Sequence, residues 1–165
     1  MEEQRANQVK LKSEGVLSDI AYTSGVILAI SYPVLAISTG VRAIYQLFFK
    51  SGVTDFLPPA LSAVAAICYF FAAIGFTYRR KWAWRLSVGL LGFEMLMVLV
   101  IGGFSFIYPD LIGRTVWGRF GADYGYFPLF QPLLGLIWLF SPPVLRAYRI
   151  VGGKIEEKSA ANFTN

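Results

Sequence analysis

LSVGLLGFEMLMVLVIGGFSFIY, residues 86–108, is the stretch that decides the fold of this chain. It contains one formally charged side chain, Glu94, and is otherwise made of apolar or small residues. An α-helix needs roughly 20 such residues to cross the hydrocarbon core of a bilayer. Residues 86–108 therefore predict a transmembrane helix that carries an acid inside the membrane.

Three further apolar runs lie on either side of this stretch. Hydrophobic residues make up 56% of the chain and charged residues 15%, whereas about 25% are charged in a typical soluble domain. We therefore predict an all-α, polytopic membrane protein, a bundle of four transmembrane helices with a structured outer loop between helices three and four. The predicted helices cover residues 22–49, 57–78, 84–108 and 125–147 of a transmembrane domain spanning residues 20–150. Small residues recur along the second helix, which predicts a central position or a seam between two copies.

Lysine and arginine concentrate in three segments that alternate onto one side of the membrane. They are the N-terminal tail (residues 1–19), the connection at residues 79–85, and the chain after residue 145. Because cytoplasmic loops carry an excess of these residues, we predict a multi-pass membrane protein with both termini cytoplasmic, including a C-terminal tail at residues 151–165. The net charge of +5 does not indicate a nucleic-acid partner, since the basic residues lie at helix ends and not on one folded polar face.

Glu94 is the sharpest candidate for a functional group. An ionisable side chain near the bilayer centre is costly and usually faces a partner inside the bundle. Arg42 is the expected counterpart, provided that the first helix extends to Phe49. Gln46 lies one turn beyond Arg42, and Tyr45 lies on a neighbouring face. Two interpretations of this intramembrane polar cluster stay open: a proton or ligand site, or a structural contact that locks two helices together.

The predicted outer loop, residues 109–126, is rich in glycine and aromatic residues. That composition suits a folded segment better than a flexible linker, and its arginines could face anionic groups. One interpretation is a cap that binds a lipid head group, a wall precursor or a partner, and the other is a loop that packs on itself. The candidate surface residues are Arg114, Trp117, Arg119, Asp123 and Tyr124.

Several short motifs between residues 20 and 140 point to one family. They are RAIYQ (42–46), LPPALSA (57–63), TVW (115–117), FG (120–121), YGY (124–126) and PLLGL (132–136), with Glu94, Pro128 and Trp138. In these motifs the chain resembles small four-helix integral membrane proteins of actinobacteria. The resemblance implies the four-helix fold and a plasma-membrane location. It implies no catalytic residues, because that family has no assigned activity, and it implies that Arg42, Gln46 and Glu94 form one pattern with the outer loop.

The residues available for chemistry are few. The chain has no histidine and one cysteine, Cys68. A single cysteine cannot close an intramolecular disulfide, and zinc, haem and histidine acid–base chemistry lose their commonest group. We predict no catalytic residue, no metal site and no cofactor.

These features favour a non-catalytic accessory or interaction module of the plasma membrane over an enzyme. Two alternatives stay open: a small oligomeric transporter or channel that uses Glu94, and a membrane enzyme that handles lipid. General acid–base catalysis usually needs two poised groups, which speaks against the enzyme. The predicted partners are membrane lipid and either another membrane protein or a second copy of this chain.

Overall fold

Helices account for nearly all of the chain that can be described. A computed structural model describes residues 1–52 and 54–151, without the side chains of residues 2, 3 and 6. Within these ranges all regular structure is helical, which confirms the all-α prediction. The predicted C-terminal tail lies outside the described residues after Val151.

The first helix is much longer than predicted. Helix α1 comprises Glu2–Ile44 and continues as a π-helical turn, Tyr45–Phe49. Residues 1–19, predicted as a tail, are therefore almost entirely helical. This segment has no proline and is rich in glutamate, glutamine, lysine and leucine, residues with good helix propensity.

The next two helices form an antiparallel pair joined by a short turn. They are α2, Leu57–Thr77, and α3, Lys81–Ile107. Pro58 lies in the first turn of α2, where its missing N–H leaves no helical hydrogen bond unmade. Close packing near the turn requires Gly75, because a Cβ at that position would collide with the side chain of Ser87.

Three helices are long and apolar enough to cross a membrane by length and composition. Their candidate spans are Asn7–Phe49, Leu57–Thr77 and Lys81–Ile107. Half of the apolar window of α2 is buried, against 17% of the window of α1 and 28% of that of α3. Helix α2 is therefore the most enclosed of the three, in line with the central position predicted from its small residues.

The start of α1 extends past the end of α2. Ser18 and Ala21 line one cavity together with Thr77, the last residue of α2. Residues 1–17, which we call the N-terminal arm, therefore extend about 25 Å past the end of α2 at 1.5 Å per residue, and Glu14 and Leu17 at the base of the arm line a groove beside the helix Pro142–Ala147.

The fourth predicted helix, residues 125–147, is divided into α5, Phe127–Leu139, and α6, Pro142–Ala147. Pro142 and Pro143 lie in the first turn of α6, and Ser141 before them is extended, as steric conflict with a following proline requires. Alone, α5 has 13 residues, fewer than the roughly 20 needed for a full crossing.

A compact segment connects α3 to α5. It contains a single-turn helix α4, Pro109–Ile112, and a 3₁₀-helical segment, Gly118–Tyr124. We call residues 108–126 the cap. The cap lies against α2, α3 and the start of α5, so it closes the bundle at the end opposite to the N-terminal arm.

Candidate functional site

Three large polar side chains, one from each of the long helices, are buried in the core of the bundle. Glu94 is the middle residue of α3 and is 1% exposed. Tyr32 of α1 and Tyr69 of α2 are equally buried, and their rings meet edge to face with centroids 5.9 Å apart. We call Tyr32, Tyr69 and Glu94 the central polar cluster.

The hydrogen-bonding capacity of this cluster is not used within the described part of the chain. Both carboxyl oxygens of Glu94 and the hydroxyls of Tyr32 and Tyr69 lack a partner there. A buried polar group without a partner costs about 1–3 kcal/mol, and an unpaired charge costs more. An acid beside two hydroxyl groups has the chemistry to hold or pass on a proton.

The predicted pairing of Arg42 with Glu94 is wrong. Nη1 of Arg42 donates instead to the hydroxyl of Tyr124 at 2.7 Å, and the guanidinium carbon lies 5.6 Å from the centroid of that ring. Arg42 follows Tyr32, the α1 member of the central polar cluster, by about ten residues, or ~15 Å of helix. Hydropathy alone could not give the depth at which α1 and α3 face each other.

Tyr45 and Gln46 also lie away from the central polar cluster. Both belong to the π-helical turn that follows α1, and the side chain of Tyr45 is exposed. The intramembrane polar cluster predicted from the sequence is therefore divided. Glu94 lies at the centre of the bundle, whereas Arg42, Tyr45 and Gln46 lie at the cap end.

Trp117 was predicted as a surface residue of the outer loop, but it is completely buried. Its indole packs edge to face on Phe93 of α3, with ring centroids 6.2 Å apart. The backbone amide of Val116, also buried, donates to Oγ of Ser62 on α2 at 3.3 Å. Trp117 and Val116 therefore anchor the cap to α3 and α2 respectively, and Trp117 offers no binding surface.

The cap holds three non-glycine residues in the left-handed region, Arg119 at φ 49°, Phe120 at φ 58° and Tyr126 at φ 62°. Such residues cost of order 1–3 kcal/mol each and persist only where the surroundings fix them. Here the Arg119 amide donates to Oγ of Ser105 at 2.8 Å. The Phe120 ring fills the space over Gly102, 2.5 Å from where a Cβ would lie. Helix α3 therefore dictates the conformation of the cap.

The charged side chains of the cap neutralise one another. Asp123 accepts from Nη2 of Arg119 at 3.0 Å and from Nε of Arg114 at 3.4 Å. The arginine side chains are 57% and 75% exposed, whereas that of Asp123 is 17% exposed. Exposed bridges of this kind contribute about 0–1 kcal/mol each. Because two arginines share one aspartate, these three residues together keep one positive charge.

Two members of the central polar cluster, Tyr32 and Tyr69, were not predicted from the sequence. One signal was available: both lie well inside apolar runs, whereas interfacial tyrosines lie at the ends of such runs. A tyrosine at mid-depth in an apolar run is therefore a candidate for the interior of the bundle.

The cavities of the molecule lie away from this cluster. A cavity of about 300 Å³ separates α1 from α6, and a largely apolar groove of about 670 Å³ runs between α1 and α5. Neither is lined by a member of the central polar cluster. Among residues 1–52 and 54–151, no group of three His, Cys, Asp or Glu side chains is placed to hold a metal ion.

Comparison with known proteins adds no family to this description. The chain matches no protein-family model, no curated protein and no solved structure. The resemblance to four-helix membrane proteins of actinobacteria stays a prediction.

Proposed function

We propose that this chain is a four-pass plasma-membrane protein that acts as a non-catalytic interaction module, and that the N-terminal arm contacts a second protein. The observation that carries the proposal is the exposure of the arm. From residue 7 to residue 20 every side chain is exposed, and the first buried residue of α1 is Ala21. A helix that is polar on most sides and leaves its own bundle is typical of a segment that bridges to another body.

The course of α5 and α6 supports a fourth pass. At the cap, Gly121 lies directly against the Pro128 ring of α5. At the other end, the hydroxyl of Tyr148 donates to the carbonyl of Gly75, in the last turn of α2, at 3.1 Å. Residues 127–148 therefore run the length of α2. A proline break within a crossing is tolerated where neighbouring helices satisfy the backbone.

The distribution of charge supports cytoplasmic termini. Arg79, Arg80, Lys81, Arg146 and Arg149 all lie at the end of the bundle from which the arm projects. At the cap, Asp123 offsets part of the basic charge. An excess of lysine and arginine on one side is the usual mark of the cytoplasmic side.

The interior supports a binding role over catalysis. Glu94 is enclosed by packed side chains and lines neither of the two cavities beside α1. Arg42 and Trp117, which the sequence offered as site residues, hold the cap in place. The arm, by contrast, is exposed along residues 7–17.

Site-specific photo-crosslinking in native membranes tests this proposal. A photoreactive residue at Val9 or Val16, both exposed on the arm, should give one discrete adduct with a single protein. The matched control is the same residue at Ile30 or Ile37, exposed positions of the same helix within its charge-free run, residues 20–41, which should react with lipid. The same adduct pattern at all four positions, or lipid adducts alone on the arm, would contradict the proposal.

A small oligomeric transporter is the second candidate, because the central polar cluster places an acid and two hydroxyl groups at mid-depth. In that case proton or cation flux into proteoliposomes would be abolished by Glu94→Gln without loss of folding. An interaction module predicts no flux above that of empty vesicles, with or without the substitution.

A further inference from the structure

Four cations converge at the end of the bundle that carries the arm. Arg79, Arg80, Lys81 and Arg149 line a cavity of about 410 Å³, which we call the basic cleft. All four residues are exposed. In the part of the chain that the structure describes, no acidic residue lines the cleft and none forms an ion pair with its cations. Like charges held this close repel one another and create a strongly positive potential, which attracts an anion.

The cleft depends on a long-range contact. Arg149 comes from the segment after α6, far in sequence from the α2–α3 turn. Its neighbour Tyr148 is buried, and the Tyr148 hydroxyl donates to the carbonyl of Gly75 at 3.1 Å. This contact fastens the segment beside the turn and brings Arg149 to the other three cations.

The left-handed residue Arg149 belongs to the C-terminal cap of α6. Its φ is 57°, in the left-handed region, where a non-glycine residue costs of order 1–3 kcal/mol. The Arg149 amide donates to the carbonyl of Arg146 at 2.9 Å, which holds the turn. Glycine would adopt this conformation without strain, yet the position carries a long cation at the cleft. The next amide, that of Ile150, donates to the carbonyl of Leu145 at 2.9 Å, which completes the cap, and the capped turn places Arg149 at the cleft.

The start of α3 adds to the positive potential. Arg80 is the extended residue before the helix, and Lys81 is its first residue. The first turn contains no acidic residue, and no side chain caps its free N–H groups. A helix N-terminus of this kind carries a partial positive charge and unused donors, which reinforce the four side chains.

Two features favour a lipid phosphate over a soluble anion. The exposed rings of Tyr78 and Trp82 lie beside the cleft, 5.7 Å apart, and amphipathic rings of this type settle at head-group depth. In addition, Arg79 also lines the adjoining cavity of about 300 Å³, whose walls include the apolar side chains of Val26 and Phe76. One molecule could therefore place a phosphate in the cleft and hydrocarbon in the adjoining cavity.

We propose that the basic cleft binds the phosphate of an anionic phospholipid, part of whose hydrocarbon lies in the adjoining cavity beside Phe76. This site is separate from the N-terminal arm, and the proposal does not rest on a protein partner for the arm.

Native mass spectrometry of the full-length protein in a nonionic detergent tests the site. The probes are phosphatidylglycerol and phosphatidylcholine with the same acyl chains. The wild-type protein should bind one phosphatidylglycerol in preference to phosphatidylcholine. Arg79→Gln and Arg149→Gln should each weaken phosphatidylglycerol binding about tenfold or more, as expected for the loss of one charge-assisted hydrogen bond. The matched control is Arg85→Gln, which removes the same charge from the first part of α3 but lies outside the cleft, and it should leave binding unchanged within about twofold.

Arg149→Gly separates binding from folding. It relieves the left-handed strain, so the variant should be at least as stable as the wild type, while its affinity for phosphatidylglycerol falls as in Arg149→Gln. Equal weakening by Arg85→Gln, or no preference for phosphatidylglycerol, would overturn the proposal. Full displacement of the lipid by millimolar sodium phosphate would also overturn it, because the site would then be one for a soluble anion.

Discussion

At the cap, arginine side chains bind groups of the protein itself, whereas at the basic cleft they face a cavity. Arg42 donates to Tyr124, and Arg119 forms an ion pair with Asp123. No such partner within the described chain meets Arg79 or Arg149. Arginine therefore has a different role at each end of the bundle. At the cap it pairs with groups of the protein, and at the basic cleft it is placed to bind an outside ligand.

The tryptophans of the two ends differ in the same way. Trp117 is completely buried in the cap, whereas Trp82 beside the basic cleft is 48% exposed. Sequence composition makes these positions look alike, since each combines tryptophan with arginine near the end of an apolar run. The difference teaches that the cap is a structural element and that the other end is a surface for contacts.

The largest expected effect separates the two tryptophans. Trp117→Ala should lower the free energy of unfolding by about 3–5 kcal/mol, because it leaves a cavity between the cap and α3. Trp82→Ala should cost under about 1 kcal/mol, since its ring is half exposed. Unfolding in mixed micelles of rising denaturing-detergent content measures both. An equal decrease in the free energy of unfolding for the two variants would contradict the proposed difference between the two ends.

An intermediate effect is expected at two adjacent glycines. A Cβ at Gly102 would meet the Phe120 ring and backbone of the cap, whereas one at Gly103 would meet nothing within 4 Å. Gly102→Val should therefore destabilise the protein by about 1–3 kcal/mol. Gly103→Val, the matched control, should change stability by under about 0.5 kcal/mol. The same detergent titration measures both variants. If Gly102→Val were as stable as the wild type, α3 would not fix the conformation of the cap.

The smallest effect distinguishes the two partners considered for Arg42. A double-mutant cycle of Arg42→Met with Tyr124→Phe should give a coupling energy of about 1–2 kcal/mol, from one half-buried hydrogen bond to a charged group. The cycle of Arg42→Met with Glu94→Gln should give under about 0.5 kcal/mol, because these residues do not meet. A larger coupling energy between Arg42 and Glu94 than between Arg42 and Tyr124 would contradict the hydrogen bond to the cap. It would support the ion pair expected from the sequence.

The long apolar helices could be predicted from the sequence because the signal is local. Residues 57–78 and 84–108 were predicted as helices, and the structure has Leu57–Thr77 and Lys81–Ile107. A run of apolar residues determines that a helix forms and roughly where it ends, whatever its neighbours are. Glu94 was singled out for the same reason, since a charge in such a run needs no structure to be noticed.

Contacts between distant residues could not be predicted, because they depend on how far one helix slides along another. Arg42, the expected partner of Glu94, lies at the cap end of the bundle. Tyr32, which lies deeper in α1, was not predicted as part of the polar cluster. No local pattern marks Phe120 as left-handed or brings Arg149 to the turn between α2 and α3. Each of these depends on a neighbour far along the chain, such as Gly102 or Gly75.

The continuity of α1 has a mechanical consequence. The helix runs from Glu2 to Ile44 and passes Pro33 without ending, so the N-terminal arm and Arg42 belong to one rod. A partner that rotated or lifted the arm would turn or shift Arg42 by a similar amount, against the hydroxyl of Tyr124 in the cap. A displacement of one helical turn, about 5.4 Å, would break that contact. The same helix that exposes the arm would thus transmit a signal from one side of the membrane to the other.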